Sequence, residues 1–274
     1  MPEKIRLDVG VHAVGLAPSR EKARAFIQAG LIQVNGVTIK KTAHLISEQD
    51  EIRLAGKDHP YVSRGGLKLE KALLAFPVSV EGDVCADIGA STGGFTDCLL
   101  QHGAQKVYAM DVGYGQLDWS LRNDERVIVK ERCNARYMEP AWFDELLDFA
   151  CMDVAFISIK RMLEPLVPCL KEQAQVVALI KPQFEAGREN VGKKGVVRDA
   201  RVHIQVILDI LQYVRGLSYT VQALDVSPIT GPQGNIEFLL LLQKDGNHAW
   251  EANGDLSAAE RIVNEAQELH KNAK

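Results

Sequence analysis

From residue 84 onward the chain alternates short apolar runs with longer segments, and this alternation restricts the fold more than any other feature. The runs 84–88, 106–110, 127–130, 149–152 and 176–180 read as strands, with helix-sized stretches between several of them. Strands separated by helices pair in parallel, because a tight turn can join only antiparallel strands. The last two runs, 219–226 and 237–242, have no helix-sized segment between them. They read as antiparallel neighbours joined by a turn over 228–234. The expected fold class is therefore α/β: a Rossmann-like sheet, mostly parallel with an antiparallel last strand, and helices on both faces. Hydrophobic residues make up 46% of the 274, enough for a core of that size.

The front of the chain is built differently. Residues 1–76 hold 12 Lys and Arg against 8 Asp and Glu, while the rest holds 20 against 28. A basic front on an acidic body points to a polyanion partner at one end. Ser19 is placed to cap a helix carrying Ala23, Phe26 and Ile27 at helical spacing, and Gly30 is placed to end it. Asn35-Gly36 between two β-prone runs reads as a hairpin turn, and 51–54 as a further strand. Arg6-Leu7-Asp8, Gly15-Leu16-Ala17-x-Ser19-Arg20-x-x-Ala23, Ile27-x-x-Gly30-x-Ile32-x-Val34-Asn35-Gly36 and Asp50-Glu51-Ile52 together resemble the S-four RNA-binding domain, a small α+β module. That resemblance implies contact with structured RNA through Arg6, Arg20, Arg24 and Lys40, which would hold phosphates rather than read bases. Residues 55–63 are polar. The expected organisation is an RNA-binding domain over 1–60, a linker over 61–66, a catalytic domain over 67–245 and a polar, partly helical tail over 246–274.

The run Asp87-Ile88-Gly89-Ala90-Ser91-Thr92-Gly93-Gly94-Phe95-Thr96 leaves the first strand of the sheet and enters a helix, where open α/β folds bind ligands. It lacks the second glycine of the dinucleotide pattern G-x-G-x-x-G, the one that lets a pyrophosphate lie on the backbone. D-x-G-x-x-x-G is instead the pattern of S-adenosylmethionine loops, and the fold becomes that of a class I methyltransferase. Asp87, Gly89, Ser91, Thr92, Gly93, Gly94 and Phe95 are the expected cofactor-binding residues of the loop. Asp111 and Val112 at the end of the next strand join them, since a carboxylate there can accept from both ribose hydroxyls. Asn134, after the third strand, either reads the adenine edge or caps a loop.

Four residues stand at or beside sheet edges: Lys68, Asp153, Lys181 and Glu237. Two lysines and two carboxylates from four separate elements resemble the Lys-Asp-Lys-Glu tetrad of FtsJ-type ribose 2′-O-methyltransferases. In that arrangement Lys181 takes the hydroxyl proton, Asp153 orients it, and Lys68 and Glu237 place the ribose. Further matching segments are Tyr61-Val62-Ser63-Arg64-Gly65-Gly66-x-Lys68-Leu69, 111–119, Phe156-Ile157-Ser158, Lys181-Pro182-Gln183-Phe184-Glu185 and Gly231-x-x-Gly234-Asn235-x-Glu237. With these, the chain is identified as resembling the TlyA-type ribosomal RNA 2′-O-methyltransferases, also called hemolysin-like. The resemblance covers about residues 1–243. It implies S-adenosylmethionine as cofactor and a cytidine ribose of ribosomal RNA as target. Arg64 and the basic, glycine-rich segment 183–198, with Arg188, Lys193 and Lys194, would add RNA contacts.

Two other classes of function fit the sequence less well. A non-enzymatic RNA-binding or ribosome-assembly protein would not need an intact tetrad. Membrane lysis, which the hemolysin-like name suggests, lacks a spanning segment or a long cationic amphipathic helix in the sequence. The five cysteines form no C-x-x-C pair and read as reduced core thiols, so no metal and a cytoplasmic setting are expected.

Overall fold

The structure is a computed structural model and describes residues 4–47, 49–54, 59–245 and 254–271. The chain divides into two compact units, 1–60 and 61–274.

The first unit contains β1 (Ile5–Arg6), α1 (Leu7–Ala13), α2 (Arg20–Gln28), β2 (Ile32–Val34), β3 (Val37–Thr38), β4 (Leu45–Ile46) and β5 (Ile52–Leu54). Ser19 caps α2 by accepting from the Lys22 amide at 3.2 Å. Asn35 and Gly36 both have positive φ, 51° and 79°, which is the backbone that a two-residue turn between β2 and β3 requires. Strand β2 is central, with β3 and β5 antiparallel on either side, and β1 pairs with β4. Leu7, Val11, Ala23, Ile27, Ile32 and Ile46 form the core. Helix α1 was not foreseen. It is short and has no side-chain cap, and it exists because its Leu7 and Val11 are wholly buried. Gly10 lets it lie close to β4: a Cβ there would fall 2.3 Å from the Ile46 Cδ1.

The second unit contains α3 (Gly66–Ala75), β6 (Val84–Ile88), α4 (Gly94–Gln101), β7 (Lys106–Met110), α5 (Trp119–Arg122), β8 (Val127–Lys130), β9 (Leu147–Met152), α6 (Lys160–Leu166), β10 (Leu170–Ile180), α7 (Pro182–Glu185), α8 (Ala200–Arg215), β11 (Tyr219–Val226), β12 (Phe238–Lys244) and α9 (Asp255–Lys271). Its sheet has the order β11-β12-β10-β9-β6-β7-β8. Strands β6 to β10 pair in parallel, and β12 runs antiparallel to both β10 and β11. Both faces are covered. Val176, Ala178 and Ile180 point into one cluster with α6, α8 and α9, while Val177 and Leu179 point into the other with α3 and α4. This two-sided burial is why the strands read as unbroken apolar runs rather than alternating ones. The order reverses between β6 and β9, so a crevice opens at their carboxyl ends.

Several boundaries differ from the sequence reading, β9 and β12 by one or two residues and others by more. Strand β10 begins at Leu170, six residues early; a register shift before Gln175, with Gln173 at φ 64°, breaks its apolar pattern. The segment 61–66, expected to be a linker, is packed into the second unit. Tyr61 is 1% exposed and donates to Glu70 Oε1 at 2.7 Å, and the Val62 amide donates to Asp97 Oδ2 at 2.7 Å. The remaining part of the polar connector, 55–58, lies outside the described residues.

The expected polar tail is largely the helix α9; 246–253 and 272–274 lie outside the described residues. Its Ala258, Ala259, Ile262, Val263 and Ala266 make a stripe of helical spacing that packs on α8 and β11. We expect Ile262→Ala to cost about 2–5 kcal/mol in urea unfolding, the loss typical of a fully buried isoleucine. A solvated tail would show no change.

Candidate active site

The loop after β6 is shaped by backbone contacts. The amides of Gly89 and Ala90 donate to the Met110 carbonyl at 2.8 and 3.0 Å, and the Ser91 amide donates to Asp111 Oδ2 at 2.8 Å. Gly89 has φ 88°, and a Cβ there would stand 2.9 Å from the Asp153 carbonyl oxygen, so a side chain is excluded on both counts. Asp87 is fully buried; its Oδ2 accepts from the Thr96 amide at 2.9 Å and the Thr96 hydroxyl at 2.7 Å, tying β6 to α4.

Burial pushes the Asp87 carboxyl up to about 7, against the Thr96 hydrogen bonds that favour the ionised form. An unfolded aspartate titrates near 3.9, so between about pH 4 and pH 7 only the folded state keeps this proton. Stability from this group is therefore full below pH 4 and falls as pH rises to 7, by at most about 1.4 kcal/mol per pH unit. We expect Asp87→Asn to flatten that slope in unfolding curves recorded from pH 4.5 to 7.5; an unchanged slope would place the titration elsewhere.

A cavity of about 370 Å³ opens at the carboxyl ends of β6, β7 and β9. Of the expected cofactor-binding residues, Gly89, Ser91, Asp111, Val112 and Asn134 line it. Asp87, Thr92, Gly93, Gly94 and Phe95 do not; Asp87, Gly93, Gly94 and Phe95 are buried behind the loop and set its shape. Asp111 already accepts from Ser91 and, through Oδ1, from the Gly113 amide at 2.7 Å, leaving further lone pairs on each oxygen. Asn134 does cap the following turn, accepting from the Arg136 amide at 3.2 Å, while its side chain still faces the cavity. Ala135, Ile157 and Met162 supply apolar wall that the sequence reading missed, and the 91% exposed Phe156 stands at the rim against the Phe184 ring. Phe156 also has φ 62°, a strained backbone for an aromatic residue.

The four sheet-edge residues converge. Lys68 comes from α3, Asp153 follows β9, Lys181 follows β10 and Glu237 precedes β12. Pairing of Ile180 with Phe238 sets Lys181 and Glu237 at the same end of adjacent strands. Lys68 Nζ lies 2.7 Å from Glu237 Oε2 and 3.3 Å from Asp153 Oδ2. Lys181 Nζ pairs with the other Asp153 oxygen. Lys68 and Glu237 are nearly inaccessible, at 7% and 1%. Burial works to lower the Lys68 pKa, but Asp153 and Glu237 outweigh it and the net shift is upward. Burial likewise opposes the charge on Asp153, and the two lysines outweigh it and lower its pKa. Lys68 is thus a fixed cation between two carboxylates. Lys181 faces one carboxylate, which Lys68 already shares. Asp153 also lines the cavity, so the cavity and the tetrad meet at one residue.

The expected RNA-contacting residues are all exposed, but they differ in what holds them. Arg6, Arg20 and Arg24 converge on the fully buried Asp8 at 2.9, 3.4 and 2.9 Å. Their pairing, led by the Arg6 hydrogen bond, holds the Asp8 carboxyl far below its usual range despite burial. Nothing in the sequence marks this shared anchor, which leaves the three expected phosphate-contacting arginines already paired to one carboxylate. Lys40 lays its chain over Gly30. Arg188, Lys193 and Lys194 lie on the segment after α7, which is fastened where Asn235 accepts from the Val197 amide at 3.0 Å and donates to the Gly195 carbonyl at 2.8 Å.

With this geometry in view, the FtsJ-like methyltransferase family matches residues 61–244, and the S4 domain matches residues 5–52. The 16S/23S rRNA (cytidine-2′-O)-methyltransferase TlyA of Mycobacterium tuberculosis is 40% identical over 266 residues, 97% of this chain and 99% of that one. The chain belongs to the TlyA family of FtsJ-like methyltransferases. YqxC of Bacillus subtilis, another relative, is 48% identical over 273 residues, 99% of this chain and 96% of that one. A solved structure of a hemolysin-named protein from Streptococcus thermophilus superposes with a TM-score of 0.78 at 45% identity, covering 100% of this chain and 98% of that one. At 13% identity, an S-adenosylmethionine-dependent methyltransferase structure from Listeria monocytogenes still superposes at a TM-score of 0.51 over 67% of this chain and 100% of that one, and so shares the fold. Among the described residues, no helix is long and apolar enough to cross a membrane.

Proposed function

We propose that this TlyA-family protein methylates the ribose 2′-oxygen of a cytidine in ribosomal RNA, with S-adenosylmethionine as donor and Lys181 as proton acceptor. The observation that carries the reading is the position of Asp153, which belongs both to the cavity wall and to the lysine–carboxylate cluster. A methyl donor in the cavity and a hydroxyl at Lys181 would meet beside it.

The residues present fit an adenosine-type cofactor. Asp111 offers lone pairs to ribose hydroxyls, Ala135, Ile157 and Met162 offer apolar walls to a base, and the Gly89 turn brings the backbone close. Bound S-adenosylmethionine supplies an electrophilic methyl on a sulfonium. Lys181 would accept the 2′-hydroxyl proton at its Nζ as the ribose oxygen takes up the methyl group. Asp153 holds the Lys181 side chain in place and pairs with the ammonium that results. Lys68 neutralises part of the Asp153 charge and keeps Glu237 fixed.

Arg64, Arg188, Lys193, Lys194 and Lys40, with the Asp8-bound arginines, are positioned by exposure to meet phosphates. The test is transfer of labelled methyl from the donor to ribosomal subunits and to naked ribosomal RNA, mapped by nuclease digestion. Label on a ribose supports the reading. RNA binding without any labelling would leave an RNA-binding or assembly protein instead.

A further inference from the structure

Between Asp111 and Leu117 little packing holds the chain. Val112, Tyr114, Gly115 and Gln116 are exposed, and burial resumes only at Leu117. Yet this stretch reaches the cavity, because Gln116 is one of the residues lining it. Polar contacts hold it instead. Glu131 follows β8, and its Oε1 accepts from the Gly115 amide at 2.8 Å. Arg122, the last residue of α5, grips both oxygens of that carboxylate, at 2.5 Å to Oε1 and 3.3 Å to Oε2. Arg122 above all, and then the Gly115 and Gln116 amides, keep the Glu131 carboxyl below its usual range against partial burial. The Glu131 side chain is only 11% exposed, so the loop is fastened to a carboxylate that is itself fixed.

The Gln116 side chain stands between two residues of the cavity wall. Ser91 Oγ donates to Gln116 Oε1 at 3.4 Å. At the other end, a Cβ added at Gly113 would collide with Gln116 Nε2 and stand 3.0 Å from Asp111 Oδ1. The amide nitrogen and the carboxylate therefore flank one spot. A carboxylate only accepts, whereas a ribose hydroxyl donates one hydrogen bond and accepts others. Asp111 can satisfy the first need, and Gln116 brings the donor for the second.

We propose that Gln116 Nε2 donates to a ribose hydroxyl of the bound cofactor beside Asp111, and that Glu131, held by Arg122, is the positioning residue that sets Gln116 there. The inference rests on the reading of the cavity as the S-adenosylmethionine site. If the wild-type protein binds no S-adenosylhomocysteine, that reading fails first, and the two failures are told apart.

Calorimetric binding of S-adenosylhomocysteine and of its 2′-deoxy and 3′-deoxy analogues to the full chain tests it without turnover. Gln116→Ala is expected to raise the Kd of S-adenosylhomocysteine roughly 3- to 10-fold, the worth of one neutral hydrogen bond. The same variant is expected to discriminate less: the affinity lost on removing one of the two hydroxyls shrinks by about that factor, because the amide and the hydroxyl it holds act as one unit. Glu131→Ala is expected to raise the Kd about as much, and to add little in a Gln116→Ala background. Glu131→Gln keeps an oxygen for the Gly115 amide and is expected to recover part of the affinity. A Kd near wild type in Gln116→Ala, or both hydroxyl penalties unchanged, overturns the ribose contact. Additive losses in the double variant overturn Glu131 as the residue that positions Gln116. So does a Kd in Glu131→Ala that rises only in step with a fall in melting temperature, or failure of that variant to fold, since either assigns Glu131 a structural role.

Discussion

Lys181→Ala is expected to slow single-turnover methyl transfer by about 10²- to 10⁴-fold at neutral pH, the range typical of a lost general base. Cofactor affinity is expected to stay near wild type, because Lys181 is not among the residues lining the cavity. Folding is expected to survive as well. Asp153 loses one cation and keeps Lys68 at 3.3 Å, so no charge is left without a partner. Stopped-quench transfer of labelled methyl at saturating cofactor, with calorimetric binding alongside, reads both quantities. A rate within a few-fold of wild type would remove Lys181 as proton acceptor.

Lys68→Met is expected to act mainly on stability. Lys68 forms the close ion pair to Glu237 among the described residues, and Glu237 is 1% exposed. Removing one partner of a buried pair leaves the other charge uncompensated, which typically costs about 3–5 kcal/mol. The pH dependence has a definite sign. In the variant, Glu237 can escape its penalty by taking up a proton, and burial without a cation raises the folded-state pKa. The unfolded chain binds that proton only at lower pH, so the deficit against wild type shrinks as pH falls and grows as pH rises. Adding Glu237→Gln to Lys68→Met is expected to recover most of the stability and none of the activity. Urea unfolding at pH 5 and pH 8 measures all of this. A deficit independent of pH would mean that Lys68 contributes packing rather than charge.

Much of this molecule is legible in its sequence, for physical reasons that vary along the chain. Strands β6, β7, β8 and β11 fall at the positions read from the sequence; in β6 and β7 burial on both faces leaves little room for polar residues, while the edge strand β11 buries mainly alternate positions. The antiparallel insertion of β12 follows from the short turn before it. Asp153, Lys181 and Glu237 are legible because they sit at strand ends, which can be located, whereas Lys68 lies on α3 and is picked out by the family resemblance. The hydrogen bond that Gln183 Nε2 donates to Glu237 Oε1 is not legible, since nothing in a lone glutamine reveals that its partner lies 54 positions away. The Asp8 anchor was hidden likewise: counting charge in the first 76 residues gives the excess of arginines but not the buried carboxylate that gathers three of them. Helix α1 escaped because Leu7 to Ala13 carries β-prone valines and a glycine, and tertiary burial overrides that local preference. Helix α9 is legible only as a partly helical tail and its packing is not, because its apolar stripe is mostly alanine, too weak to mark a core face before α8 is placed against it.

In the proposed function, the lysine–carboxylate cluster directs a methyl group onto a ribose 2′-oxygen. Ribosomal subunits that lack the modification, incubated with the protein and a deuteromethyl-labelled donor, then digested to nucleosides for mass spectrometry, test it most directly. The predicted result is label in 2′-O-methylcytidine with wild type and almost none with Lys181→Ala at equal cofactor occupancy. Label on a base, or equal ribose labelling by the two proteins, would contradict it.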